Sequence, residues 1–235
     1  MSESNKPTRG RGPNRRARRG AVDGQATGTP ASQRELRAQG RRTMRKLLDA
    51  GMRVFAERGY HAARVDDIVR AARTSHGTFY LYFASKEDLL RALAVECAHE
   101  WNELAASIGP ITPDDAGLEE LRRFLGAFVD TYRRYGPIIR AWMEDQGGDR
   151  EIGRLGVRSF TAIASALGLR MDEAGAPHAV DSATSVAALM AMLERFNYVL
   201  VSRRIELDDD VMLDSLARLV HRGFFAATPE VTAAG

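Results

Sequence analysis

From Arg64 into the leucines at 89 and 90 the chain reads RVDDIVRAARTSHGTFYLYFASKEDLL, and no other stretch constrains the fold as strongly. Val65, Ile68, Val69 and Ala72 recur at helical spacing and give a short helix one inward face. Arg73-Thr74-Ser75 is brief and polar, and Ser75 stands where it caps a second helix, His76 to Tyr82, by accepting a backbone N–H bond. Ser85-Lys86-Glu87-Asp88 reads as the cap and acidic first turn of a third helix, with Asp88 where a capping box usually carries Glu. A short helix, a tight turn and a second short helix make a helix-turn-helix. Its second helix displays hydroxyls, an imidazole and two tyrosines, a surface suited to the base edges and phosphates of a DNA groove. Phe79 and Phe83 read as core.

Phe55, Gly59-Tyr60, Asp67-Ile68, Thr78-Phe79-Tyr80-Leu81-Tyr82-Phe83 and Ser85-Lys86-Glu87-Asp88-Leu89-Leu90 together resemble the DNA-binding signature of the TetR (tetracycline-repressor) family, over roughly Arg42 to Ala94. The remainder is similar to that family only in length and helical character. The resemblance implies an all-α homodimer with an N-terminal three-helix head and a larger C-terminal helical domain for dimerisation and ligand binding. It also implies control of transcription, most often repression, with release from DNA by a small ligand. The residues it assigns to DNA are Arg42, Thr43, Arg64, Thr74, Ser75, His76, Gly77, Thr78, Tyr80, Tyr82 and Lys86. Tyr82 and Lys86 are expected on phosphates; Ser75, His76, Thr78 and Tyr80 on base edges or nearby phosphates. Two positions depart from the pattern. Arg73 replaces the usual turn glycine, and because positive φ costs a non-glycine residue about 1–2 kcal/mol, a different turn geometry is expected. Arg64 replaces the usual Ser or Thr, losing a cap and offering a phosphate contact.

Charge is unevenly spread. Residues 1–42 hold eleven Lys/Arg and three Asp/Glu, whereas the rest holds 23 basic and 28 acidic residues, so anionic partners are drawn to the N-terminal end. Residues 1–33 form a basic arm rich in Gly, Arg, Pro, Ser and Thr, with too little apolar surface to bury and hence expected to be disordered alone. Arg9, Arg11, Arg15, Arg16, Arg18 and Arg19 fit either a minor-groove arm beside a helix-turn-helix or a solvated, solubilising tail. The single cysteine, Cys97, excludes an internal disulfide and suits a reducing cytoplasm. No apolar run is long enough to span a membrane, and no apolar segment follows the basic N-terminus as a signal peptide requires.

The expected divisions are the arm at 1–33, a DNA-binding head at 34–84 and an effector-binding and dimerisation domain at 85–235. Periodicity predicts a first helix over 34–58, with Met44, Leu47, Leu48, Gly51 and Phe55 inward and Gly59 ending it in a left-handed conformation. A helix over 85–108 buries Leu89, Leu90, Leu93, Cys97 and Trp101. Further helices are expected over 118–135, 138–146, 149–167, 181–203 and 209–225, with Gly136-Pro137 separating two of them and a loop over 168–177. The last two carry Ala, Ser and Gly between large apolar residues, which suits either a dimer interface or intrachain packing.

An effector pocket is expected among Trp101, Phe124, Phe128, Tyr132, Trp142, Met143, Phe160 and Phe196, an aromatic and Met lining that suits an elongated apolar or aromatic small molecule. The same side chains also read as plain core. Glu96/Glu100 and His99/Glu103 stand at i, i+4, a spacing helical surfaces produce routinely, so no metal is expected; no cofactor is expected either. No nucleophile elbow, HExxH, CxxC or phosphate-binding glycine loop supports an enzyme. The expected protein is therefore a cytoplasmic, effector-released regulator binding a palindromic double-stranded operator as a homodimer, the alternative being an effector-independent architectural DNA binder.

Overall fold

Eight α-helices and a closing π-helical turn make up the regular structure among residues 31–143, 150–175, 181–201 and 208–226, which the computed structural model describes. Side chains are described throughout these ranges except at 31–36, 141–143 and 201. Residues 1–39 and 40–235 are separate compact units. The described part of the first is the opening of α1 (Ala31–Arg58), and the contacts below lie within the second. The expected basic arm falls almost wholly outside the described residues.

The head comprises α1, α2 (Val65–Ala71) and α3 (His76–Tyr82). Leu47, Leu48, Ala50, Val54 and Phe55 bury one face of α1, while Met44, expected inward, is 38% exposed because it lies a turn before that stripe meets its neighbours. Gly59 ends the helix at φ +74°, its N–H reaching the Phe55 carbonyl at 3.0 Å. Tyr60 then folds edge-on against Phe55, centroids 5.4 Å apart. At the start of α2, Arg64 supplies no side-chain cap, since a guanidinium has no acceptor, but Asp67 Oδ2 accepts the Arg64 backbone N–H at 3.2 Å.

The turn after α2 corrects the expectation of altered geometry. Arg73 itself takes the left-handed conformation, φ +52°. The Thr74 N–H reaches the Val69 carbonyl at 2.9 Å and the Arg73 N–H reaches Arg70 at 3.1 Å, the paired bonds of a Schellman motif with arginine in the glycine seat. Those bonds, with Ile68, Val69, Phe79 and Phe83 buried on either side, hold the turn despite the strained residue.

α4 (Lys86–Ser107) leads from head to body. Ser85 Oγ accepts the Asp88 N–H at 3.3 Å, and Asp88 Oδ2 reaches back to the Ala84 N–H at 3.1 Å, a reciprocal cap shifted one residue from the usual box. Gly51 marks the close approach of α1 to α4: a Cβ there would fall 2.4 Å from Leu89 Cδ2, and Leu89 is fully buried.

The body adds α5 (Asp115–Met143), α6 (Arg150–Ala174), α7 (Ser182–Val201), α8 (Asp209–Val220) and the π turn His221–Phe225, with α4 packed along α5 and α6. As expected, Gly136-Pro137 marks the meeting of two helical segments within α5: Tyr135 (φ −106°, ψ 15°) leaves helical geometry just before it, and proline removes a ladder bond at the kink. The loop expected over 168–177 is helical as far as Ala174, since Ile163, Leu167 and Met171 continue the buried stripe past Gly168. The final helix ends in a wide turn that seats Phe225 in the core and brings His221 Nε2 within 2.8 Å of the Thr112 carbonyl oxygen. Trp101, Phe128 and Phe160 form the aromatic centre, Trp101 lying 5.3 Å from Phe128 and 4.7 Å from Phe160.

Candidate nucleic-acid interface

Two buried rings aim α3. Phe79 and Phe83 are 0% and 3% exposed, fastening one side of the helix to the head and turning the other to solvent. Ser75 sets the start: its Oγ accepts the Thr78 N–H at 3.1 Å and stands 3.0 Å from Thr78 Oγ1. Both hydroxyls are thus engaged with each other at the protein surface, where a base or phosphate can exchange for them. His76 Nε2 meets Asp66 Oδ1 of α2 at 2.5 Å, so an acid sits beside the helix that would approach an anionic surface. Tyr80 is 57% exposed; Tyr82 is half-buried, its hydroxyl lying toward Gly40 of α1. Arg42, Arg64 and Gly77 are exposed, and Thr43 and Thr74 half-buried.

Lys86 sits differently from the phosphate contact the sequence suggests. Its Nζ donates to the carbonyls of Tyr60, His61 and Ala63 at 3.1, 3.2 and 3.0 Å and lies 4.7 Å from the Tyr60 ring centroid. An ammonium has three N–H groups, and all three are occupied in closing the loop between α1 and α2. Two exposed side chains of the helix-turn-helix escape the sequence reading. Arg73 is turned outward by its left-handed backbone, and Leu81 is 81% exposed. In the sequence Leu81 lies within Phe-Tyr-Leu-Tyr-Phe and looks like core; only its helical phase relative to Phe79 and Phe83 turns it outward.

The expected effector lining divides. Trp101, Phe124, Phe128 and Tyr132 are packed in the core, between 0% and 4% exposed, and burial pushes the Tyr132 phenol up to about 12. Phe196 packs beside Val129, Leu200 and Met212. The side chains of Trp142 and Met143 lie outside the described residues. Among the described members of the set, Phe160 alone lines a groove of about 830 Å³ between α6 and α7, with Ala164, Leu169, Val186, Ala187 and Met190. Sequence periodicity finds core aromatics but not this groove, which small residues create by leaving space.

Glu96 and Glu100, noted for metal spacing, are both ion-paired: Glu96 with Arg45, and Glu100 with Arg134 and the Tyr135 hydroxyl. Among the described residues no cluster of three metal-type ligands occurs, and no helix is long and apolar enough to cross a membrane. Cys97 is buried in the core, and that burial pushes its thiol well above the ordinary range.

Comparison with known proteins agrees with a capped helix-turn-helix carried on a helical body. Residues 47–93 match the bacterial regulatory proteins of the tetR family. The fatty acid metabolism regulator protein of Bacillus subtilis is 45% identical over 51 residues, 22% of this chain and 26% of that protein. The repressor DhaR of Mycobacterium sp. strain GP1 is 34% identical over 97 residues, 40% of this chain and 46% of its own. The first relatives are thus matched over about a quarter of their length. In fold the likeness extends further: a TetR-family regulatory protein from Rhodococcus RHA1 superposes with a TM-score of 0.63 at 19% identity, covering 79% of this chain and 98% of that one. FadR of Bacillus subtilis, solved in complex with stearoyl-CoA, gives 0.58 at 19% identity, covering 76% and 97%. Residues 47–93 thus carry a DNA-binding head of the tetR type, while the likeness of the whole chain to these solved structures is one of fold.

Proposed function

We propose that the protein is a homodimeric transcriptional repressor that holds a palindromic double-stranded operator through α3 and is released by a small apolar or aromatic effector. The observation that carries this reading is the outward face of α3, on which His76, Tyr80 and the Ser75–Thr78 hydroxyl pair stand exposed or half-exposed while Phe79 and Phe83 lock the helix behind them. In this reading residues 34–84 are the head, 85–235 the body and 1–33 a cationic arm. Arg42, Thr43, Arg64, Thr74 and Tyr82 contact the backbone and Gly77 lets it approach, while Ser75, His76, Thr78 and Tyr80 face base edges. Two copies place two α3 helices in successive major grooves about 34 Å apart, which makes the operator palindromic.

The pairing surface fits α7 and α8. α8 leaves Val211 and Leu219 60% and 68% exposed, and α7 exposes the small residues Ala188 and Ala191 outside the α6–α7 groove, which allow a second helix close. The effector fits the α6–α7 groove, whose apolar walls and length suit an extended chain such as an acyl group. Release then follows from preferential binding of the effector to the spacing of heads that does not fit DNA.

The test pairs thermal shift with operator binding, using stearoyl-CoA and a panel of aromatic acids as probes. A probe that raises Tm and abolishes operator binding supports the reading. DNA binding unaffected by any stabilising probe would make the protein architectural instead. Within the head, Thr78→Ala and His76→Ala should each cost about 1–3 kcal/mol at particular base positions. Tyr82→Phe should weaken operator and random DNA alike, because phosphates carry no sequence information.

A further inference from the structure

Leu81 is the most exposed large apolar side chain among the described residues, at 81%. It stands on the outward side of α3, where every other large apolar residue of that helix except Tyr80 is turned inward. One turn before it on the same face is Gly77. Glycine is a poor helix former, and nothing inside the protein requires it there: a Cβ would meet only Ser75 Oγ, at an ordinary 3.8 Å. An apolar side chain left in water beside a helix stripped of its own side chain is the pattern of a surface shaped for close approach by something outside the chain.

Charge decides what that is. Residues 40–84 carry nine Lys/Arg and four Asp/Glu, and Arg64 and Arg73 are both exposed in the same helix-turn-helix. Such a surface attracts duplex DNA and repels a second copy of itself. In the major groove the one apolar group on a base edge is the C5-methyl of thymine. Resting on the DNA-binding reading above, we propose that Leu81 determines specificity by packing against a thymine C5-methyl, so that each half-site requires thymine at one position. Cytosine, with no methyl group and an amino donor instead, is rejected there.

The experiment selects binding sites for the full chain from random duplexes, then replaces each thymine of the enriched site singly by deoxyuridine, which removes the methyl and nothing else. Affinity is measured for wild type and Leu81→Ala. At one thymine per half-site the wild type should lose about fourfold, the worth of one buried methyl group. Leu81→Ala should bind the thymine duplex more weakly by a similar factor and be indifferent to deoxyuridine at that position. Its Tm should be unchanged, since the side chain is exposed. Wild type indifferent to every single replacement, or Leu81→Ala keeping the full wild-type penalty, overturns the proposal while DNA binding stands. A shift in sedimentation for Leu81→Ala also overturns it, because the residue then lies between copies. Failure to enrich any sequence or to bind duplex DNA sinks the DNA-binding reading, and this proposal with it.

Discussion

Arg45 of α1 and Glu96 of α4 form a two-pronged ion pair, with Nη1 2.9 and 3.1 Å from the two carboxylate oxygens. The same guanidinium also holds Asp49 on its own helix at 2.7 Å. One turn along α4, Glu100 takes Arg134 and the hydroxyl of Tyr135, the residue at which α5 bends. Successive carboxylates on one helix therefore tie the head on one side and the bend on the other. A displacement of α5 at its bend is thus passed by Glu100 into α4, which Glu96 joins to α1.

The Arg45–Glu96 side chains are 52% and 33% exposed, which bounds their contribution. Arg45→Ala and Glu96→Gln should each cost about 1 kcal/mol or less in urea denaturation, with a coupling of a few tenths in the double variant. A loss above about 3 kcal/mol would mean the joint is desolvated like a buried pair.

Arg73 stores strain in the helix-turn-helix. Arg73→Gly should stabilise the protein by roughly 1 kcal/mol, the relief of a left-handed non-glycine residue less the entropy glycine adds to the unfolded chain. Chemical denaturation measures it. If the arginine also meets phosphates, non-specific DNA affinity falls as stability rises, and the opposite signs separate the two roles.

Lys86 distinguishes a structural lysine from a DNA-binding one. Its three bonds to loop carbonyls are charge-assisted and partly buried, so Lys86→Met should lower stability by about 2–3 kcal/mol. Unchanged Tm with weakened binding to random DNA would return Lys86 to a phosphate.

Glu120 gives the acid limb a specific contributor. Hydrogen bonding from Arg123 holds its carboxyl below the usual 4.5, and the Gly109 N–H adds a 2.6 Å bond. A depressed carboxyl contributes stability that is complete above the unfolded value and disappears as pH falls through the folded one. Glu120→Gln should therefore destabilise the protein near neutrality and flatten its stability profile below about pH 4.5. Identical wild-type and variant profiles below that pH would show that the pair does not contribute.

What could be read from the sequence follows from how local each cause is. Ser75, Ser85 and Gly59 act within a few residues of themselves, so the head's helices and turns are legible from spacing and caps. The fold class follows from the same periodicity carried through the body. The bonds of Lys86 are not legible in the sequence because its partners, Tyr60, His61 and Ala63, lie more than twenty residues away and offer only backbone oxygen. Leu81 is missed because composition makes it core and only the phase of a seven-residue helix makes it surface. The α6–α7 groove is missed because an aromatic list describes what fills space, and Ala164, Gly168 and Ala187 matter by not filling it.

The basic arm supplies the last prediction, which rests on its sequence. Residues 1–20 carry seven Lys/Arg and one Glu, tethered ahead of the head. Such an arm acts on DNA by neutralising phosphates and releasing counterions, so its effect belongs in the salt dependence. Affinity falls with salt by about 0.9 per phosphate neutralised in log–log terms. Deleting residues 1–32 should lower affinity at low salt and flatten the slope by about 2–4. Dimerisation and effector binding should not change, because the deleted segment holds almost no large apolar side chain. Operator preference should fall only slightly, unless the arm reads a narrow AT-rich minor groove. A salt titration of the full chain and the truncated one on the same operator decides it, and identical slopes would mean the arm is a solvated tail with no part in holding DNA.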